Sequence, residues 1–347
     1  MENNKMVLSL HPAGLPILLA AGAFFARLIA LLSAPLEGLR GYGDLIHYYL
    51  VYGLPGWPIL NYWIEYPPVF PWLSALLNRL AGGQEHVFYY LLDFILLLAD
   101  AGSVYLFSRL VQRLFPPEGA LPRAVTYLLV IVSLPYSWWY FDPLVVFTLL
   151  LGLTQLLNGR LYRGGLALGL GVALKFFPGL GLLAAWRRCS WRQLVGLAAL
   201  SLAPIIIMYA VFWLASPDFT VASLRSQASK GSWETVWALL DGNIRTGSLG
   251  PVQDRLDPAR AAISDGNRAV VPPLASLVIL GGVGLWGLSR FKRRSDSPSL
   301  CDRQSLALVG FAWSLFVLWS QGWSPQWILY LLPLILLTLP DRHAYLL

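Results

Sequence analysis

The chain has 347 residues, 57% of them hydrophobic and only 12% charged, with a mean hydropathy of +0.60. Soluble domains carry about 25% charged residues, so this composition indicates a polytopic membrane protein. It excludes a disordered chain, a collagen-like repeat and a secreted disulfide scaffold, since cysteine occurs only at Cys189 and Cys301, both in short polar segments beside arginines. The formal net charge of +7 would point to nucleic acid in a soluble protein; divided between two membrane faces it implies no nucleic-acid partner.

About 20 apolar residues cross the hydrocarbon, and such stretches lie at 14–33, 87–108, 119–137, 143–158, 193–214, 271–289, 304–320 and 327–340. Threaded alternately, these eight spans place more than half of the 25 lysines and arginines on one side. The positive-inside rule makes that side cytoplasmic, and the N-terminus lies there too. Arg27 interrupts the first span, which lacks a small-residue cleavage site and reads as a retained helix. The stretch 164–186 has the length of one crossing, yet Arg160 and Arg163 precede it and Arg187 and Arg188 follow it. Phe177-Pro178-Gly179 breaks it in the middle, so two half-helices meeting at 175–179 are predicted. Lys175 then sits deep and open toward the outer side, where a lysine needs a wet cavity, an anion or a structural partner. The expected fold is an all-α polytopic bundle in a single domain, 1–347, with about eight full spans, one broken half-helix hairpin and two long outer loops, 34–86 and 216–270. The charge run Lys292 to Arg294 reads as a topology anchor, and no internal repeat is visible.

The outer loops hold the chemistry. Gly41-Tyr42-Gly43-Asp44 follow the first span, and a short surface helix carries Asp44 and His47 on one face at i and i+3. Asp44 either caps that helix or serves a reaction. Glu65-Tyr66-Pro67-Pro68 precede an amphipathic helix over 69–80. Trp57, Tyr62, Trp63, Tyr66 and Trp72 crowd the segment, a composition suited to the membrane interface or to stacking on sugars. Asp142 lies at the outer mouth of the fourth span, Trp233 and Glu234 in the second loop, and Gln321 and Gln326 in a last outer turn. Four separate parts of the chain therefore bring polar and aromatic groups to one leaflet.

The aspartate after the first span, Glu65-Tyr66-Pro67-Pro68, Phe141-Asp142, Leu174-Lys175-Phe176-Phe177-Pro178 and Ser324-Pro325-Gln326 together resemble the GT-C superfamily of integral membrane glycosyltransferases. The nearest pattern is that of the polyprenol-phosphate-mannose-dependent mannosyltransferases of glycosyltransferase family 87. Many relatives continue beyond the point where this chain ends, which suggests a short member or missing terminal helices. The resemblance implies transfer of a hexose, mannose favoured, from a polyprenyl-phosphate donor to a hydroxyl of a glycan or glycolipid acceptor outside a prokaryotic plasma membrane, with membrane lipid as the surrounding partner. Asp44 occupies the place of the proposed general base. The leaving lipid phosphate needs positive charge, for which Lys175, Arg27 and Arg245 are the candidates, with Arg225 and Lys230 as alternatives. His47, Glu65, Tyr66, Asp142, Trp233, Glu234, Gln321 and Gln326 are expected to touch acceptor or sugar, with His47 beside Asp44. No cofactor is required; Mg or Mn held by Glu65 and Asp142 is the weaker alternative, because the four histidines show no ligand spacing. A transporter or lipid flippase is the competing class, favoured by the broken hairpin and disfavoured by the lack of a matching break in the other half.

Overall fold

A computed structural model describes residues 14–40, 44–186, 188–229, 231–243, 247–262, 270, 272–290 and 298–345. In chain order the α-helices are Gly14–Ser33 (α1), Leu36–Arg40 (α2), Leu45–Tyr52 (α3), Val69–Leu80 (α4), Glu85–Leu114 (α5), Pro117–Ser133 (α6), Tyr136–Trp139 (α7) and Asp142–Leu157 (α8). They continue with Leu161–Leu174 (α9), Trp191–Ala215 (α10), Pro217–Ala228 (α11), Val236–Asp241 (α12), Pro273–Arg290 (α13), Pro298–Trp319 (α14), Ile328–Thr338 (α15) and Asp341–Ala344 (α16). Among the described residues there is no β-strand, only isolated bridges between Pro58 and Tyr62 and between Trp233 and Gly322.

The eight expected spans are α1, α5, α6, α8, α10, α13, α14 and α15. Of these, α1, α5 and α10 are each long and apolar enough to cross a membrane unaided, while α8, α13 and α15 are shorter apolar helices. The predicted break is present: α9 ends at Leu174, Lys175 is extended, and the chain returns as a 3-10 helix, Phe177–Ala185. The returning half is 3-10 rather than α because Pro178 removes a donor at its start and glycines 179 and 181 weaken helix propagation.

Close helix contact in this region depends on small residues, as it does generally where the surroundings are as apolar as the side chains. Gly165 and Gly169, four residues apart on α9, face α10; the Ser201 hydroxyl donates to the Gly165 carbonyl at 3.0 Å and to that of Leu197 at 2.9 Å. A Cβ on Gly169 would meet the Ser201 carbonyl oxygen at 2.8 Å. On the opposite face of α9, Gly164 approaches Gly152 of α8.

The two ends of the bundle differ in charge. At one, Arg113 donates to Asp302 (2.7 Å), the Asn158 side chain (2.6 Å) and the Leu157 carbonyl (2.8 Å), and Arg188 pairs with the same Asp302. Arg123 donates to the carbonyls of Leu336 and Leu339. Cations thus satisfy the orphan carbonyls where α8 and α15 terminate. The other end carries the two long loops. The aromatics of the first loop, expected at the interface or on sugars, mostly pack within the fold: Trp57 stacks on Trp72 with centroids 4.6 Å apart, and Tyr62 and Trp63 are fully buried. They brace α4 against α10 through the stacking of Trp72 on Phe212 at 5.7 Å.

Gly169→Val should lower the stability of the purified protein by about 1–3 kcal/mol through overpacking, read as a reduced Tm in detergent. An unchanged Tm would contradict the close approach of α9 and α10.

Candidate active site

Asp44 stands at the N-cap position of α3, but its side chain makes no capping hydrogen bond. Its Oδ2 instead accepts from the Tyr66 hydroxyl at 3.1 Å and the Tyr48 hydroxyl at 3.3 Å. The backbone N–H of Asp44 donates to the carbonyl of Trp139 at 3.0 Å. Burial, then the neighbouring Asp44 carboxylate, pushes both tyrosines well above the usual phenol range, so both remain protonated donors to Asp44.

A polar cavity of about 430 Å³ opens in front of this carboxylate, with Asp44, His47, Glu65, Tyr66, Tyr140, Trp233, Glu234, Arg255, Ser324 and Gln326 among its lining residues. A second, of about 370 Å³, shares Glu65, Tyr66 and Trp233 with the first and continues to Lys175, Gln321 and Trp327. The walls come from both loops, the hairpin break and the last turn. Trp233 joins the second loop to that turn: its N–H donates to the Gln321 carbonyl at 3.0 Å, and its carbonyl accepts from Trp323 at 3.1 Å. Gly322 permits this, since a Cβ there would lie 2.1 Å from the Trp233 ring. Glu234 next to it has φ +52°, a left-handed conformation that costs a non-glycine residue about 1–3 kcal/mol.

Glu65 is clamped by a buried arginine. Arg255 Nη1 pairs with Glu65 Oε2, Arg255 Nη2 donates to Oε1 at 3.1 Å, and His47 Nε2 lies 3.0 Å from the same Oε1. Arg255 is 1% exposed and also lies 4.7 Å over the Trp63 ring, whose indole N–H donates to the carbonyls of Asp254 and Asp257 at 3.0 Å. Burial alone would raise the Glu65 carboxyl, but the Arg255 guanidinium and then His47 outweigh it and hold the group well below the usual carboxylate range.

Lys175 Nζ donates to Asp142 Oδ1 at 2.8 Å, and the Tyr330 hydroxyl donates to the same oxygen at 2.5 Å. The rings of Phe141, Phe177 and Trp327 lie 5.1, 5.6 and 5.9 Å from the ammonium. Its depth is therefore compensated by one carboxylate and three aromatic faces.

The profile of glycosyltransferase family 87 matches residues 63–320. The chain belongs to glycosyltransferase family 87. That membership, with three helices long and apolar enough to cross a membrane, agrees with the motifs quoted above. No curated protein matches it. Among solved structures, the apo oligosaccharyltransferase of Archaeoglobus fulgidus is similar with a TM-score of 0.46 and 13% identity, covering 93% of this chain and 49% of that one. The family 87 chain thus spans about half the length of that structural relative.

The structure brings together most of the residues singled out in the family 87 sequence. Asp44, His47, Glu65, Tyr66, Trp233, Glu234 and Gln326 share the first cavity, and Lys175 and Gln321 the second. Three placements differ. Arg27, expected near a lipid headgroup, is fully buried against Asp100 because the face of α1 that carries it turns toward α5, not the bilayer. Asp142 is 1% exposed behind the cavity wall, where Lys175 and Tyr330 occupy its carboxylate, so it supports Lys175 and lines neither cavity. His47 contacts Glu65 and Arg255 rather than Asp44. Arg245 and Lys230 lie outside the described residues. Arg255 and Tyr140 escaped the sequence reading: Arg255 is one of several arginines in its loop, and nothing local marks it as the one buried against Glu65.

Because Glu65 ionises at lower pH folded than unfolded, its contribution to stability is complete above the ordinary glutamate range and is lost as pH falls toward the folded value. The Tm of the purified protein should therefore drop with acidification below that range, and Glu65→Gln should flatten the dependence. Arg255→Ala, which leaves a buried carboxylate without its cation, should cost about 3–5 kcal/mol; a pH-Tm curve of Glu65→Gln parallel to wild type would refute the pairing.

Proposed function

We propose that this family 87 protein transfers a hexose, mannose favoured, from a polyprenyl-phosphate carrier to a hydroxyl of a glycan or glycolipid acceptor at the extracytoplasmic face of a prokaryotic plasma membrane, with inversion. One observation carries the reading: Asp44 occupies a helix-capping position yet leaves the cap unmade, and two tyrosine hydroxyls turn its carboxylate into the polar cavity. The two phenol hydrogen bonds fix the direction of the carboxylate, as a general base requires.

In the proposed reaction the acceptor hydroxyl gives its proton to Asp44 as its oxygen attacks the anomeric carbon. The bond from that carbon to the phosphate oxygen breaks, and its electron pair leaves with the lipid phosphate. A phosphate leaving group needs no second carboxylic acid, unlike glycoside hydrolysis. It does need cationic stabilisation in a place of low dielectric. An ammonium has three donors, so Lys175, which commits one to Asp142, retains two for phosphate oxygens at the edge of the second cavity. Glu65 and His47, with Gln326 nearby, present fixed acceptors and donors suited to sugar hydroxyls. The proposed reaction contains no metal. Arg255 and His47 already occupy the Glu65 carboxylate, and Lys175 and Tyr330 that of Asp142. The clustering of arginines at the end opposite the cavities supports the assigned orientation. Polar groups at one end of the bundle rather than at its midplane favour transfer over transport.

The test supplies purified protein with polyprenyl-phosphate hexoses and follows release of the lipid phosphate. Asp44→Asn should reduce transfer by about 10²–10⁴-fold, the range for a lost general base, while donor binding persists. Undiminished transfer would refute the assignment. The paired variant Lys175→Gln/Asp142→Asn, which removes the ammonium without stranding its carboxylate, should weaken donor binding about tenfold or more; equal donor affinity would remove Lys175 from the phosphate site.

A further inference from the structure

Behind the wall that carries Asp44, the bundle buries an ion pair that the proposed reaction does not use. Arg27 of α1 is 0% exposed, and its Nη1 lies 2.9 Å from Asp100 Oδ2 of α5. Burying two charges costs several kcal/mol per ion, and well-packed apolar residues of the same volume often serve stability as well or better. Stability alone therefore does not account for the pair, and the remaining contacts of the guanidinium show what else it does.

Arg27 Nη2 donates to the carbonyl of Ser137 at 2.9 Å, and its guanidinium carbon lies 3.8 Å over the Trp138 ring. Both residues belong to α7, a helix of four residues that cannot sustain itself, because its terminal carbonyls have no intrahelical partners. Each residue that follows meets the base or its supports. The Trp139 carbonyl accepts from the Asp44 N–H at 3.0 Å, and Tyr140 lines the Asp44 cavity. Phe141 stacks on Phe70 with centroids 3.9 Å apart and packs at 5.2 Å from Tyr66 and 5.9 Å from Tyr48, the two phenols that hold the Asp44 carboxylate.

We propose that Arg27, oriented by Asp100, is a positioning residue for the glycosyl transfer: by fixing residues 137–141 it sets the place of the Asp44 carboxylate and of its two tyrosine donors. The larger effect falls on the chemical step: Lys175 is anchored by Asp142, itself held by Tyr330, and residues 137–141 reach its ammonium only through the Phe141 ring, 5.1 Å away. This proposal rests on Asp44 being the base, and the experiment keeps the two apart.

The decisive variant is Arg27→Met/Asp100→Leu, made in an Asp93→Asn background because Asp93 is the other buried carboxylate that faces Arg27, so that no charge is left stranded in the apolar interior. Arg27→Gln/Asp100→Asn gives the same comparison should the apolar pair not fold. In a variant whose Tm and monodispersity match wild type, kcat should fall about 10- to 100-fold, the loss expected for an ångström-scale misplacement. Donor KM should stay within about twofold, since the bonds that anchor Lys175, to Asp142 and through it to Tyr330, lie outside residues 137–141. Hydrogen–deuterium exchange should rise in the peptides covering 136–141 and Asp44. Arg27→Lys, which keeps the charge beside Asp100 but lacks the fork that reaches Ser137, should fall between wild type and the double variant. Full kcat in the folded double variant, or a lowered kcat with unchanged exchange at 136–141, would overturn the proposal. If Asp44→Asn itself retains full transfer, the base assignment fails instead, and the exchange measurement still reports whether the pair holds this segment.

Discussion

A charge carried into an apolar bundle persists only beside its counter-charge, and in this chain that constraint organises the candidate active site. Around the cavities, pairs among the described residues that meet it are Arg27 with Asp100, Lys175 with Asp142 and Arg255 with Glu65. Each joins residues distant in the chain, and each lies against or behind the same pair of cavities. The hairpin break is tied to the start of α8 by the second, and the two long loops to each other by the third. Where helix–helix association gains little from hydrophobic burial, such directional contacts and the glycine-lined approaches of α8, α9 and α10 fix relative position.

Charge balance also divides labour within the cavities. Glu65 is neutralised by Arg255 and faces His47, which suits it to hold hydroxyls in place. Asp44 accepts hydrogen bonds from two buried phenols, Tyr48 and Tyr66. Two carboxylates 21 positions apart in the sequence thus acquire different chemistry from their surroundings. Phe141 packs between Phe70 and the tyrosines that hold Asp44, while its chain neighbour Asp142 supports Lys175. Asp44 and Lys175 are accordingly supported by consecutive residues of one short segment.

Much of this was legible in the sequence. Apolar length located the spans, because the hydrocarbon thickness sets a minimum helix length. Arginines on both flanks of 164–186, with proline and glycine at its centre, announced the hairpin, because charge sidedness and backbone satisfaction admit few other solutions. Prolines 67 and 68 placed the start of the helix at 69, and the order of the motifs gave the family.

Partner choice was not legible. Arg27 and Asp142 stood where a direct part in binding was reasonable by depth and spacing, and His47 stood beside Asp44; each turned to another partner once helices were packed. Rise along a helix gives the depth of Arg27, but its rotation toward α5 depends on which face of α1 packs there. Arg255 could not be told from the other arginines of its loop, because its burial is created by Trp63 and Glu65 from a loop about 190 residues earlier. The sequence by itself determined which segments enter the membrane and which end of the bundle carries the polar chemistry, since both follow from local composition acting on a slab of fixed thickness. Only the tertiary structure decided which charge neutralises which, since pairing depends on short-range distances between residues that the chain holds far apart.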